Sequence, residues 1–438
     1  MPFNYFLNLF RWLLPLSVLL LVFAGCQGDT TGNKNRTVYI KQDKGKYTIY
    51  RNGQPYLIKG AAGHTNLKKL QEIGGNTIRI YDTLNLGSIL DDAEKNGLAV
   101  MVGLPIAESK YVEFVYNNKK KRAKQLDDLT KVVNRYKDHP ALLMWCVGNE
   151  LIFRPHIKYY NFYTAFNDIV AMIHRDDPNH PVTTTMMNLR RKDLFGMTMF
   201  TNIDVISINI FGSVKDLRNN LKKLSWFWEG PFIVAEWGIE GPWLHQKNAW
   251  SAHIESTSTK KAEQYDEMYG YIPHENSRFL GSFVFYWGQK QETTHTWFSM
   301  FDQKGQQTEA VGVMQYHWSG KRPLKTAPKI NYMLINGKGA MDNILFKPGE
   351  IAQATLDLPE SDTSDYTVWE MYPEDWYEND KIKHKKIAPI AKAILSSGYL
   401  KANFKTPAKE GPYRIFATIY DRYGNFATCN TPFYVVSN

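Results

Sequence analysis

Cysteine is scarce in this sequence, with three in 438 residues. Cys146 lies within an apolar run and Cys429 lies near the far end of the chain, so a disulfide between them would have to join two domains. We therefore expect both to be buried free thiols. The spacing of the cysteines matches no metal-ligand pattern, and we predict neither a metal nor another cofactor.

The sequence also lacks the features of a nucleic-acid-binding protein, although its formal net charge is +10. One tight basic run, KKKR at residues 119–122, has neither interleaved stacking aromatics nor a known binding motif. We interpret this run as the exposed start of a helix, with an anionic surface or polymer as the alternative partner. No nucleic-acid partner is predicted.

Charge is nearly absent from the amino terminus, where residues 1–25 hold a single charge and a long apolar run. This pattern predicts an export signal that is removed. The ending FAGC resembles the lipobox of bacterial lipoproteins, with Phe23 where Leu is usual, and it implies lipidation of Cys26. Residues 26–37 would then tether the domain to the outer membrane or cell surface of a bacterial envelope. An uncleaved transmembrane anchor is the alternative.

The length of the chain suits one barrel-sized domain and a smaller one. From residue 57 onward, short apolar runs alternate with segments of helical periodicity. Eight such strand-then-helix units predict a TIM barrel, in which catalytic groups project from the carboxyl ends of the strands. The eight predicted strands are 57–62, 76–81, 98–104, 142–147, 181–187, 204–209, 232–236 and 283–287.

The pattern changes after the barrel, because from residue 327 the apolar residues recur with a period of two. Segments such as EIAQATLDL and YRIFATIYD, separated by turn residues, are typical of an immunoglobulin-like β-sandwich. We therefore predict a barrel domain at 38–320, which begins with a hairpin, and a sandwich domain at 321–438. The sandwich is expected to pack against the barrel or, alternatively, to bind sugar through Trp369 or Trp376.

Two of the predicted strands end in a carboxylate. The run LLMWCV is followed at once by Gly148, Asn149 and Glu150, and the run FIVAE ends in Glu236. Because the carboxyl ends of barrel strands meet at one edge, we expect the two glutamates to meet in space. Glycoside cleavage requires two carboxylates on either side of a sugar. Asn149 adds an amide suited to the sugar 2-hydroxyl.

Six segments together resemble glycoside hydrolase clan A, particularly the barrel of family 2 β-glycosidases, over residues 50–290. The resemblance implies that Glu150 is the acid/base and Glu236 the nucleophile of a retaining mechanism. It also implies that Arg79 holds Glu236 ionised and that Trp287 forms the floor of the cleavage subsite. A structural salt bridge and core packing are the respective alternatives. The segments are IKGAAGH, NTIRIYDT, WCVGNE, DVISIN, IVAEWG and FVFYWG.

One position departs from the pattern of the clan, which presents a Tyr hydroxyl to the nucleophile after strand six. Phe211 occupies that place here and is expected to line the site with its ring. Either another hydroxyl replaces the one that is missing, with Tyr81 and Tyr286 as the candidates, or the nucleophile is tuned differently. His64, just past strand one, is expected to face the cleft. Weaker candidates for the cleft are Trp226, Trp228, Trp243, Trp250, His295 and Trp297, and the acids Glu240 and Glu292 rank below Glu236.

These features predict a retaining β-glycoside hydrolase that acts on a polysaccharide or oligosaccharide. A β-glucan is the favoured substrate, because NTIRIYD is also similar to the second strand of β-1,3-glucan-active families. A transglycosylase that uses the same intermediate and a non-catalytic glycan-binding lipoprotein are the alternatives. Residues 26–56 are too few for the amino-terminal sandwich domains of a full family 2 enzyme, which argues against assigning a β-galactosidase or β-glucuronidase. The oligomeric state is left open.

Overall fold

The computed structural model of the protein describes residues 36–359, 365–374 and 387–437. The predicted export signal, the lipidation site Cys26, most of the tether and Trp376 lie outside the described residues. Within the described part of the chain, no helix has both the length and the apolar character needed to cross a membrane.

A three-stranded antiparallel sheet precedes the barrel and closes its amino-terminal end. Its strands are β1 (Val38–Asp43), β2 (Lys46–Arg51) and β3 (Gln54–Tyr56). Both turns place two successive residues at positive φ, with Asn52 at 52° and Gly53 at 75° in the second, as tight hairpins require. The amide of Val38 donates to the carbonyl of Asn179, just before a barrel strand, which fixes the sheet beneath the barrel.

Eight parallel strands close into a barrel, as the sequence predicts, and seven of them lie where the apolar runs indicate. The eighth was predicted at 283–287 and lies earlier. Its first half contains Gly281, whose position against Ile58 leaves no room for a side chain, and a glycine weakens the sequence signal of a strand. The strands are β4 (Ile58–Ala62), β5 (Thr77–Ile80), β6 (Ala99–Leu104), β7 (Leu142–Val147), β8 (Val182–Met187), β9 (Val205–Asn209), β10 (Phe232–Trp237) and β11 (Phe279–Val284).

Eight α-helices accompany the barrel in the described residues. The basic run begins a helix at Lys119, capped by the side chain of Asn118, which confirms that prediction. Two helices have no clear apolar stripe, and the sequence did not reveal them; one of these buries Ser258 and Lys261. The helices are α1 (Leu67–Glu72), α2 (Leu86–Lys95), α3 (Lys119–Tyr136), α4 (Tyr160–Asp176), α5 (Arg191–Phe200), α6 (Leu217–Leu224), α7 (Ser258–Tyr271) and α8 (Glu309–Ser319), of which α5 and α7 are the two unpredicted ones.

The carboxyl-terminal part contains two four-stranded sheets with an apolar core between them, consistent with the predicted β-sandwich. Trp369 belongs to that core, and its indole donates to the carbonyl of Gly398, so it offers no exposed sugar-binding face. Cys146 in β7 and Cys429 in this domain are both buried and free, as predicted. One sheet has the order β12 (Tyr332–Ile335), β14 (Ile351–Asp357), β17 (Lys401–Lys405), β16 (Ile394–Ser397), and the other β13 (Leu345–Phe346), β19 (Phe426–Val435), β18 (Gly411–Tyr420), β15 (Tyr366–Pro373).

Candidate active site

The two glutamates lie at the carboxyl ends of β7 and β10. After β7 the backbone turns sharply, with Gly148 at φ 72° and Glu150 at φ 52°. A left-handed conformation is unusual for a glutamate, and its backbone amide is held by the hydroxyl of Thr185 at 2.7 Å. Glu236 is part of β10 itself and is 6% exposed. The fold therefore presents one acid from a constrained turn and the other from a buried strand.

Asn209 joins the two acids. It is the last residue of β9 and pairs in register with Glu236 on the neighbouring strand. Its amide nitrogen lies 2.8 Å from Oε1 of Glu236 and 3.1 Å from Oε1 of Glu150. Because both oxygens contact one nitrogen, the two Oε1 atoms lie no more than about 6 Å apart.

Arg79, in β5, forms a buried ion pair with one acid only. Its Nη1 lies 2.9 Å from Oε1 of Glu236, and the two side chains are 1% and 8% exposed. The same guanidinium donates to the side-chain oxygen of Asn149 at 2.7 Å and to that of Asn209 at 3.0 Å. These contacts fix both amides so that the nitrogen of Asn209 faces the carboxylates.

Burial and the charge of Arg79 act in opposite directions on the pKa of Glu236. Burial raises the pKa of its carboxyl group above the ordinary value, and repulsion by Glu150 adds to the rise, whereas Arg79 and Tyr81 oppose it. Burial, followed by the charge of Glu236, raises the pKa of Tyr81 well above its ordinary value, so this hydroxyl stays protonated. Among the described residues, the buried hydroxyl of Tyr81 forms no hydrogen bond with regular geometry. It nevertheless lies close enough to Glu236 to act as a donor and to lower the pKa of that carboxyl group.

A cavity of about 530 Å³ opens over these groups, a size typical of small-ligand sites. One wall is apolar, where the ring of Phe211 meets Trp243 edge-on at 5.8 Å, and Trp243 is 57% exposed. Charged side chains also line the cavity, where Nζ of Lys290 lies 3.4 Å from a carboxylate oxygen of Glu292. The lining residues are Tyr81, Asn149, Glu150, Met187, Asn188, Asn209, Phe211, Gly212, Ser213, Glu236, Trp243, Leu244, Phe285, Lys290 and Glu292.

Two predicted substrate contacts lie elsewhere. Trp287 is fully buried and packs edge-on against Phe301 at 4.8 Å. Because β11 ends at Val284, Phe285 lines the cavity at the position that was predicted for Trp287. Its predicted position as the floor of the subsite is therefore wrong. His64 is exposed and does not line the cavity.

The weaker candidates divide in the same way. Trp243 and Glu292 line the cavity, whereas Trp297 is buried and donates to the carbonyl of Glu240. Trp228 is buried under Arg278, at 5.0 Å from the ring centre. The remaining candidates also lie outside the cavity lining: Trp226 is exposed, Trp250 packs near Tyr434, and His295 lies between Tyr372 and Phe416.

Two residues of the site, Asn209 and Lys290, were not predicted from the sequence. Asn209 ends a predicted strand, as the two glutamates do, and that position was an available signal for it. Lys290 follows β11 in an irregular segment, where no periodicity indicates which way a side chain faces.

Among the described residues, one group of side chains has metal-ligand spacing: Asp91 and Glu94 in α2 and His139 before β7, none of which lines the cavity. Nδ1 of His139 accepts a hydrogen bond from the amide of Ala141 at 3.2 Å. The proton of the neutral ring therefore sits on Nε2, which faces Asp91 at 3.1 Å. A metal would need the lone pair of that nitrogen, so the three residues form an ordinary surface hydrogen-bond cluster.

The comparisons with known proteins agree with this geometry. Residues 77–269 match the model of the TIM barrel domain of the glycosyl hydrolases family 2. A β-glucuronidase of Rattus norvegicus is 25% identical over 237 residues, which cover 47% of this chain and 34% of that protein. The chain thus spans about a third of the length of this relative.

Solved structures show the same fold at low sequence identity. A family 2 β-galacturonidase of Eisenbergiella tayi bound to glycerol is similar with a TM-score of 0.51 at 16% identity, over 66% of this chain and 55% of that one. A β-glucuronidase of Bacteroides uniformis is similar with a TM-score of 0.50 at 13% identity, over 91% of this chain and 48% of that one. Over residues 77–269, the barrel of this chain is thus similar to the TIM barrel domain of the glycosyl hydrolases family 2.

Proposed function

We propose that the protein is a retaining β-glycoside hydrolase that cleaves an oligosaccharide or polysaccharide by double displacement. The observation that carries the proposal is the short separation of the two acids, whose nearest oxygens share the amide nitrogen of Asn209. A retaining enzyme needs this closeness, because one carboxylate attacks the anomeric carbon directly, with no water between.

The surroundings of the two acids support a division of labour between them. Glu236 is buried and paired with Arg79, and the cation favours the ionised carboxylate that a nucleophile requires. Glu150 is more exposed and has no cationic partner within ion-pair distance among the described residues. It is therefore free to carry the proton that the leaving oxygen needs and to take a proton from water in the second step.

The cavity supports a glycan as substrate. The exposed ring of Trp243 offers a flat apolar face to a sugar, and the exposed amide of Asn149 offers hydrogen bonds to hydroxyl groups. A β-glucan remains our favoured substrate on the sequence resemblance. The names of the similar proteins add β-glucuronides and β-galacturonides to the classes worth testing.

The test uses a panel of 4-nitrophenyl β-glycosides, including both uronides, together with β-glucan, mannan and galactan oligosaccharides. With the best substrate, Glu236→Ala should abolish turnover. Glu150→Ala should keep slow turnover of the activated aryl glycoside and be accelerated by azide, which takes over the attack on the intermediate and yields a β-glycosyl azide. Glu292→Gln is the matched control, since this third carboxylate of the cavity should show no azide effect.

A 2-deoxy-2-fluoro glycosyl fluoride of the same sugar provides a second test, because it should accumulate as a covalent adduct on the peptide that contains Glu236. Full activity of Glu236→Ala, or an adduct on another residue, would contradict the proposed mechanism. Oligosaccharide products longer than the substrate would instead identify the transglycosylase, which shares the intermediate. Binding of a glycan without turnover would leave the non-catalytic lipoprotein as the function.

A further inference from the structure

The segment between β11 and α8 forms part of the cavity wall without being a regular element. Residues 288–299, called here the β11–α8 loop, carry Lys290 and Glu292 into the cavity. Glu292 and Thr294 exchange two backbone hydrogen bonds, at 3.0 and 2.7 Å, around Thr293. Thr293 has φ 63°, and a β-branched residue in this region is strained. The surrounding contacts must therefore hold the turn in place.

Glu255, in the chain between β10 and α7, holds the residues on one side of that turn. Its side chain is buried, and four donors converge on it. Two of these donors are hydroxyls of the β11–α8 loop. Thr294 donates to Oε2 at 2.6 Å, and Thr296 donates to Oε1 at 2.8 Å. Lys261 also donates to Oε1. A single carboxylate thus anchors the loop two residues from Glu292.

The fourth donor comes from the β-sandwich. The amide nitrogen of Asn430, in β19, lies 2.7 Å from Oε2 of Glu255. Arg414, in β18, is 1% exposed; its Nη1 donates to the side-chain oxygen of Asn430, and its Nη2 donates to the carbonyl of His253 at 2.7 Å. The Nε of Arg414 is fixed by Glu374 at 2.6 Å. Both carboxylate oxygens of Glu255 and the side-chain oxygen of Asn430 accept hydrogen bonds in this network, which makes its geometry specific.

We propose that Asn430 and Arg414 are positioning residues of the active site, which act through Glu255 to hold the β11–α8 loop so that Lys290 and Glu292 face the substrate. Lys290 supplies donors and Glu292 supplies acceptors, a combination that suits the hydroxyl groups of a glycan. The effect on substrate binding depends on the proposed function, whereas the effect on the loop does not. The sandwich is then a part of the catalytic unit, whose removal would loosen one wall of the cavity.

The experiment compares four variants of the full chain, namely three single variants and the double variant of Asn430→Ala with Thr294→Val. Asn430→Ala removes the donor on the sandwich side, and Thr294→Val removes the hydroxyl on the loop side while keeping the shape of the side chain. Ser258→Ala is the matched control, because its hydroxyl accepts a hydrogen bond from the amide of Thr428 across the same domain boundary but does not touch Glu255.

The first readout is hydrogen exchange of peptides that span residues 289–299. Asn430→Ala and Thr294→Val should each speed exchange there by about 10-fold or more, since each loses a hydrogen bond to a buried charge, and the double variant should exceed neither single variant by much. Ser258→Ala should leave this exchange unchanged. Unchanged exchange in both Asn430→Ala and Thr294→Val would show that the network only joins the domains, and would overturn the proposal.

The second readout is the kinetics of the best aryl β-glycoside from the panel. Asn430→Ala should raise KM by about 5-fold or more with little change in kcat, the signature of lost substrate binding without damage to the reacting groups. An equal KM in Asn430→Ala and wild type, alongside faster loop exchange, would refute the role in substrate binding. If wild type cleaves no glycoside at all, the proposed function fails, and the exchange result still decides whether the sandwich holds the loop.

Discussion

Replacing Asn209 by alanine tests the arrangement of the two acids most directly. The side chain donates to Glu150, Glu236 and Asn149 and accepts from Arg79, so Asn209→Ala removes four contacts within one site. The strand itself should persist, because β9 keeps its backbone pairing with β8 and β10. The variant therefore changes the electrostatics between the acids more than the scaffold that carries them.

The size of the effect follows from the hydrogen bond that the amide donates to the negative charge of Glu236. A hydrogen bond to a charge contributes about 1.5 to 3 kcal/mol, and the loss of one such bond in the transition state corresponds to a fall in kcat/KM of about 10-fold to 150-fold. Without the amide, the negative charge of Glu236 loses a donor, so its pKa, already raised by burial, should rise further. Because the nucleophile must be ionised, the acid limb of the kcat/KM profile should move to higher pH.

The assay is the pH dependence of kcat/KM for the best aryl β-glycoside, measured alongside thermal unfolding. Ser207→Ala is the matched control: Ser207 is buried in the same strand, and its hydroxyl bonds to Thr183 at 2.8 Å, away from both acids. A loss of less than about threefold in Asn209→Ala, with an unshifted acid limb, would refute the role of the bridge. An equal loss in Ser207→Ala would mean that any damage to β9 has the same consequence.

Three further predictions concern other parts of the molecule. Tyr81→Phe removes a donor that lowers the pKa of Glu236, so the acid limb of kcat/KM should move to higher pH while the unfolding temperature changes little; an unmoved limb would show that the hydroxyl does not act on the nucleophile. Trp243→Ala should raise KM for oligosaccharides by about 10-fold, because a ring on which the sugar stacks is lost. Trp226 is exposed but lies outside the cavity lining, so Trp226→Ala should leave KM unchanged. Equal effects of the two variants would exclude sugar stacking on Trp243. Burial alone would raise the pKa of Glu255, but the charge of Lys261 and the other contacts of the network together outweigh it, and the pKa is lowered to about 2. Glu255 therefore stabilises the fold above its ordinary pKa of 4.5, and this contribution is lost as the pH falls from 4.5 towards 2. The unfolding free energy of Glu255→Gln, measured by urea unfolding, should therefore fall less steeply over that range than that of the wild type.

Much of the barrel could be predicted from the sequence because its strands are buried along their whole length. The residues of β6, β7 and β10 are all buried, and strands of this kind appear as continuous apolar runs. Chain direction then decides the position of the acids, since parallel strands in a barrel bring their carboxyl ends to the same edge. Glu150 and Glu236 could be paired on this argument without any coordinates.

The contacts between the acids could not be predicted in this way. Asn209 joins them because barrel closure sets β9 beside β10 in a register that pairs Asn209 with Glu236, and no local pattern reports that register. Trp287 was misplaced for a related reason, since Gly281 divides the apolar signal of β11 and the aromatic residues after it resemble the strand. The Glu255 network joins segments more than a hundred residues apart, and such contacts depend on how the two domains pack.

The position of the sheet of β1 to β3 affects how the protein would be oriented on a membrane surface. This sheet closes the end of the barrel opposite to the strand ends that carry Glu150 and Glu236, and the described chain enters through it at Arg36. If Cys26 is lipidated as the sequence predicts, the anchor is joined to the described chain at this closed end of the barrel. The mouth of the barrel, which carries both glutamates, would then face away from the point of attachment. In that orientation a long polymer could be engaged from the medium without crossing the lipid surface.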